Sequence, residues 1–239
     1  MRLWSRLLPH EPVGRCAGDH RTGGTLSANN FGGAGGLAVA ASSLPKGTFQ
    51  TVLQFDLAGA RNSFDAQFGA GQWTLQSVTL QLTAAPNNNV NFFNPTAAGQ
   101  FGISWLKNNS WVEGTGTPAA PTTDGISYDS LQSTFIDDAD DQALGTFSFG
   151  GGSSGANAYL LDLSPGLIAD VLAGDHLSLR VFAADNNVSY LFNSRTITSS
   201  ANRPALIITA VPEPASLALS FVGLATFALR RFHRVRQDP

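Results

Sequence analysis

Trp105-Leu-Lys-Asn-Asn-Ser-Trp111-Val-Glu113, with Tyr128 beyond it, combines flat rings, amides and a carboxylate. Rings can stack on the C–H face of a sugar while the polar groups bond its hydroxyls, so Trp111, Glu113 and Tyr128 are candidate carbohydrate contacts. The other reading makes Trp105 a core residue and Trp111 the pin of loop 107–130. Asp137, Asp138, Asp140 and Asp141 crowd four carboxylates into five residues. Such a group is either a solvated acidic loop or a Ca2+ site, although the spacing is not that of an EF-hand.

Catalytic patterns are sparse. Between residues 25 and 210 there is one Glu and one His. A glycoside hydrolase needs two carboxylates across a cleft, and a triad needs an oriented His. His176 follows Asp175 at the start of an expected strand and reads as a turn residue. The G-x-S-x-G string at 151–155 lies in a Gly/Ser turn between strands, whereas a nucleophile elbow leads from a strand into a helix. FGGAGG at 31–36 precedes a strand and reads as a flexible entry segment, not a nucleotide loop. No catalytic residue is assigned, and no enzyme activity is expected.

The elements that must position these residues are strands. Only 13% of the 239 residues are charged, while 25 Gly and 12 Pro mark a turn-rich chain. Apolar alternation is clearest where Val78, Leu80 and Leu82 interleave with Thr79, Gln81 and Thr83, the pattern of a strand with one wet face. Strands are expected at 37–40, 49–57, 73–84, 100–106, 144–149, 159–163, 176–183, 188–194 and 205–210, with one helix at 165–173. That is an all-β fold, an antiparallel two-sheet jelly-roll-like sandwich with one short helix, followed by a C-terminal membrane helix. Residues 25–210 hold six Lys and Arg against thirteen Asp and Glu, so the body is acidic and no nucleic-acid partner is expected. Cys16 is the only cysteine, which excludes a disulfide framework.

Three regions follow: an irregular segment at 1–26, the β-sandwich at 27–210, and a tail at 211–239. The tail opens on Val211, Pro212, Glu213 and Pro214, runs apolar through 215–229, and closes on Arg230, Arg231, Arg234 and Arg236. Fifteen helical residues span about 22 Å, short of the ~30 Å hydrocarbon core, so the membrane segment is a marginal one. The Arg cluster after it sets the topology, with the body on the far side from the cytoplasm. The tail resembles the PEP-CTERM sorting signal of Gram-negative bacteria. That resemblance implies an exosortase partner, a membrane-anchored precursor, delivery to the cell surface or exterior, and a link to exopolysaccharide and biofilm. Residues 1–24 lack the apolar run of roughly 7–15 residues that a signal peptide needs, so a misassigned start is expected. The alternative is a chain no longer exported.

A second resemblance is to DNRLRE-type secreted β-sandwich domains. It rests on VLQFDLAGA at 52–60, VTLQLTA at 78–84, WVEG at 111–114, DLSPGLIADVLAG at 162–174, Ser194-Arg195 and Arg203-Pro204-Ala-Leu206. It implies the sandwich fold more than any ligand. The expected function is a non-catalytic exported surface or matrix protein processed by an exosortase. The alternative is a module that tethers polysaccharide, and a polysaccharide-active enzyme is the distant third.

Overall fold

The computed structural model describes residues 5–6, 26–85, 93–94, 98–152 and 155–213. The strands are β1 Ser5–Arg6, β2 Gly36–Ala40, β3 Thr51–Asp56, β4 Trp73–Thr83, β5 Gly99–Leu106, β6 Gln142–Phe149, β7 Ala156–Leu161, β8 His176–Ala183, β9 Ser189–Asn193 and β10 Ala205–Pro212. Helices α1 Ala58–Phe68, α2 Tyr128–Ser130 and α3 Pro165–Ala173 interrupt them, and α2 continues as a π-helical turn over Leu131–Phe135. All named pairings are antiparallel.

Two four-stranded sheets have the orders β1-β10-β4-β7 and β3-β8-β5-β6, and β2 pairs with β9 in a third. Val78, Leu80 and Leu82 of β4 are buried, as their alternation predicts, and so are Leu177, Leu179 and Val181 of β8. These residues belong to one continuous core that also takes Leu53 and Phe55 of β3 and Leu206 and Ile208 of β10. Phe101 of β5 ties the sheets together: its ring centroid lies 5.1 Å from Tyr159 of β7 and 5.9 Å from Tyr190 of β9. Two antiparallel sheets sharing one core is the layering a sandwich requires. No helix among the described residues is long and apolar enough to cross a membrane. The expected membrane helix at 215–229 lies outside the described residues.

α3 forms where its sequence predicts. The Ser164 hydroxyl accepts the Leu167 N–H at 3.4 Å, Pro165 occupies the first turn, and Gly174 ends the helix at φ +70°. Leu167 and Val171 face the core. Helix α1 corrects the expectation of a single helix. Its apolar residues Ala60, Phe64 and Phe68 recur every four positions and pack inward, while Gly59, Asn62 and Ser63 dilute the pattern. The Asp56 carboxylate accepts the Ala58 N–H at 3.0 Å and helps start the helix. Arg61 of α1 then donates to the Ala173 carbonyl at 2.9 Å, tying α1 to the end of α3.

Candidate functional site

Trp105 sits in the core, with its indole N–H donating to Asp170 Oδ2 at 2.7 Å. Trp111 is only 6% exposed and packs with Val52, Leu106, Ile126 and Leu131, while its N–H donates to Ser178 Oγ at 2.9 Å. Its ring therefore has no free face to stack on a ligand. Tyr128 is half-buried at the first turn of α2, whose start is fixed by a reciprocal pair of bonds between Ser127 and Ser130. The three sequence-selected residues thus do not form an exposed platform.

Glu113 is held by Arg195. Nε and Nη2 of Arg195 donate to Glu113 Oε2 at 3.1 and 2.6 Å. The Trp-x-Glu loop and the Ser194-Arg195 segment, 82 residues apart, meet at this pair. Next to it, Asn30 is fully buried. Its Oδ1 accepts the Gly116 N–H at 2.9 Å and the Gly32 N–H at 3.2 Å, and its Nδ2 donates to Asp124 Oδ1 at 2.8 Å. Asp124 also accepts from the Thr115 N–H, the Thr115 hydroxyl and the Thr122 hydroxyl, and these donors hold its carboxyl well below the usual carboxylate range.

This knot corrects the expectation that FGGAGG is a flexible entry segment. A Cβ at Gly32 would strike the Glu113 and Gly114 carbonyls, and one at Gly114 would overlap the Asn30 side-chain amide. The glycines are there for close backbone approach, and Gly114 also has φ +72°. Sequence reasoning missed Asn30 and Asp124 because they lie 94 residues apart in turn-like stretches.

Three of the four carboxylates of the acidic loop find partners within the protein. Asp140 meets Lys107 Nζ at 2.6 Å, and Asp141 accepts the backbone N–H groups of Lys107 and Asp137 at 3.0 Å each. Asp137 accepts the Ala139 N–H at 3.1 Å, and Asp138 is exposed. Among the described residues no group of three or more His, Cys, Asp or Glu is placed to hold a metal ion. Beside this loop a cleft of about 650 Å3 is lined by Lys107, Asn109, Ser110, Thr134, Phe135 and Asp137. His176 is exposed at the start of β8. Gly151 and Gly155 turn at φ +77° and +66° between β6 and β7, and Ser153 lies outside the described residues.

At the C-terminal end the last strand outruns its expected limit at Ala210. Val211 stands opposite Thr74 and Pro212 opposite Trp73, and the Glu213 N–H donates to the Gln72 carbonyl at 3.0 Å. Because backbone groups alternate in direction along a strand, residues 211 and 213 face β4 and Pro212 faces away. A proline at that position costs the ladder no bond. Pro214 and Arg230, Arg231, Arg234 and Arg236 lie outside the described residues. Among curated proteins, none matches this chain. The family model of the PEP-CTERM protein-sorting motif matches residues 210–231, which places a sorting signal for exosortase on the end of β10.

Proposed function

We propose that this chain is a non-catalytic exported protein, released from a membrane-anchored precursor by an exosortase and deployed at the cell surface or in an exopolysaccharide matrix. The observation that carries this reading is the sorting-motif match over 210–231. Several residues that could have done chemistry in the body are engaged elsewhere: Trp111 in packing, Glu113 with Arg195, and Asp140 and Asp141 with Lys107. We also read the strand order as a jelly roll. With β2 and β9 set aside, the remaining strands run first-eighth-third-sixth and second-seventh-fourth-fifth, the order that two Greek keys generate.

Expression of the full chain behind a secretion leader, in a host carrying the exosortase, tests the reading. Glu213→Ala should accumulate as an uncleaved, membrane-retained form, and normal maturation of that variant would refute it. A second reading, polysaccharide tethering, is favoured by the cleft at Lys107–Ser110 and Thr134–Asp137. The hydroxyls of Ser110 and Thr134, the Asp137 carboxylate and the ring of Phe135 are the groups a neutral sugar would meet there. Retardation of the chain in a polysaccharide affinity gel, lost in Phe135→Ala, is its test.

A further inference from the structure

Residues 211–213 belong to the sorting motif and to the sheet at once. Val211 and Glu213 direct their backbone groups at β4, with the Glu213 N–H already bonded to Gln72. The strand they lean on is well anchored at this end. Trp73 is 3% exposed, packs against Phe64 with centroids 4.9 Å apart, and donates its indole N–H to Asp65 at 2.8 Å. On its other side β10 is paired by β1 at Thr209 and Ala210, and Pro212 turns its nitrogen there with no N–H to give. An enzyme that takes its substrate as an extended strand needs those backbone groups for itself. Alongside Pro212 it finds a carbonyl and no N–H, and it cannot reach the groups spent on β4.

We propose that the exosortase engages this chain only after residues 211–213 have come away from Gln72, Trp73 and Thr74, so that the end of the folded domain gates its own processing. The proposal rests on the sorting reading above. Strand ends open locally far more often than a domain unfolds. The fold also marks where such opening stops: the β10–β4 register shifts between Thr209 and Ala210, and those two residues are the ones that β1 pairs with on the other side. Opening therefore frees three residues, roughly 10 Å of extended chain, without disturbing the core rungs at Ile208 and Leu206.

A reversible lock tests this. Val211 and Thr74 form a hydrogen-bonded antiparallel pair, whose Cα atoms stand about 5.5 Å apart, within the span of a disulfide. The full chain carrying Thr74→Cys, Val211→Cys and Cys16→Ser is placed behind a secretion leader, and its maturation is followed in isolated membranes containing the enzyme, with and without dithiothreitol. The oxidised form should mature at least tenfold more slowly than the reduced form of the same variant, while unfolding at no lower temperature than the unaltered chain. Insertion of Gly-Ser-Gly-Ser after Ala210, which keeps Val211 to Pro214 contiguous and carries them off β4, should mature at least as fast as the unaltered chain. Equal rates for the oxidised and reduced forms, or a slower insertion variant, would overturn the gate. If Glu213→Ala matures like the unaltered chain, the sorting reading falls and takes the gate with it.

Discussion

Arg195 closes on Glu113 through two nitrogens that share one carboxylate oxygen, at 3.1 and 2.6 Å, with the Glu side chain 14% exposed. Two segments distant in sequence are joined there, and Ser194 beside the pair donates to the Gly35 carbonyl at 2.9 Å. Entry turn, Trp-x-Glu loop and closing segment thus form one corner. Glu113→Gln and Arg195→Gln should each cost about 1 kcal/mol in urea unfolding. A double-mutant cycle should return about 0.5–1 kcal/mol of coupling, and strictly additive losses would mean that the pair contributes nothing.

Asn30→Ala should cost more, about 2–3 kcal/mol, because it strands the buried N–H groups of Gly32 and Gly116 and removes a donor from Asp124. Chemical denaturation at pH 7 measures this. A loss under 0.5 kcal/mol would show that the knot is not what fixes residues 26–35.

Asp124 gives the same corner an acid signature. Its carboxyl is held below the ordinary value of 3.8 by its donors, so its contribution is present above about pH 4 and is lost as the pH falls below that. The stability difference between the unaltered chain and Asp124→Asn should therefore shrink from pH 5 to pH 2. Asp65, lowered by its bond to Trp73, and Asp170, raised by burial, titrate alike in both chains and cancel from the difference.

At the alkaline end Lys46 governs. It is 8% exposed, donates to Ser189 Oγ, and lies 4.4 Å from the centre of the Phe93 ring. Burial lowers its pKa to about 8 from 10.5. The unfolded chain thus binds more protons between those values, and the cost of burying the charge fades as pH rises through that window. Relative to Lys46→Met, the unaltered chain should gain stability from pH 7.5 to 10.5 in thermal melts, and a flat difference would refute the assignment. Tyr190, pushed up to about 12 by burial, works the other way above pH 10, equally in both chains.

Tyr159→Phe should be neutral or stabilising by about 1 kcal/mol. Its hydroxyl is buried with no partner among the described residues, whereas the Tyr190 hydroxyl donates to the Phe149 carbonyl at 2.7 Å. Tyr190→Phe should cost about 1 kcal/mol by leaving that carbonyl unmet. Parallel urea titrations of the two variants would separate them, and equal losses would show that Tyr159 has a partner after all.

How far the sequence carried can be seen in particular elements. Every expected strand is present, and α3 occupies its expected residues, because its cap, its proline and its glycine are local signals. Helix α1 escaped notice because its inward stripe is only Ala60, Phe64 and Phe68, which a Gly, an Asn and a Ser obscure. The burial of Trp111, which fits the reading of it as the pin of loop 107–130, depends on β3, β5, β8 and the π-helical turn after α2 meeting around it, and no local pattern names those partners. The Asn30 knot was invisible for the same reason. Its only trace was glycine at 32, 114 and 116, which reads as flexibility until the opposing backbones are in view.

The bond between Glu213 and Gln72 lays the start of the sorting motif on the turn at Gly69–Gln72, beside the end of α1. Ala205, Gln81, Thr83 and Ala156 come together in register at the far end of β4. An enzyme that reaches residue 213 therefore meets the α1 end of that strand first, and the far pole stays clear of it.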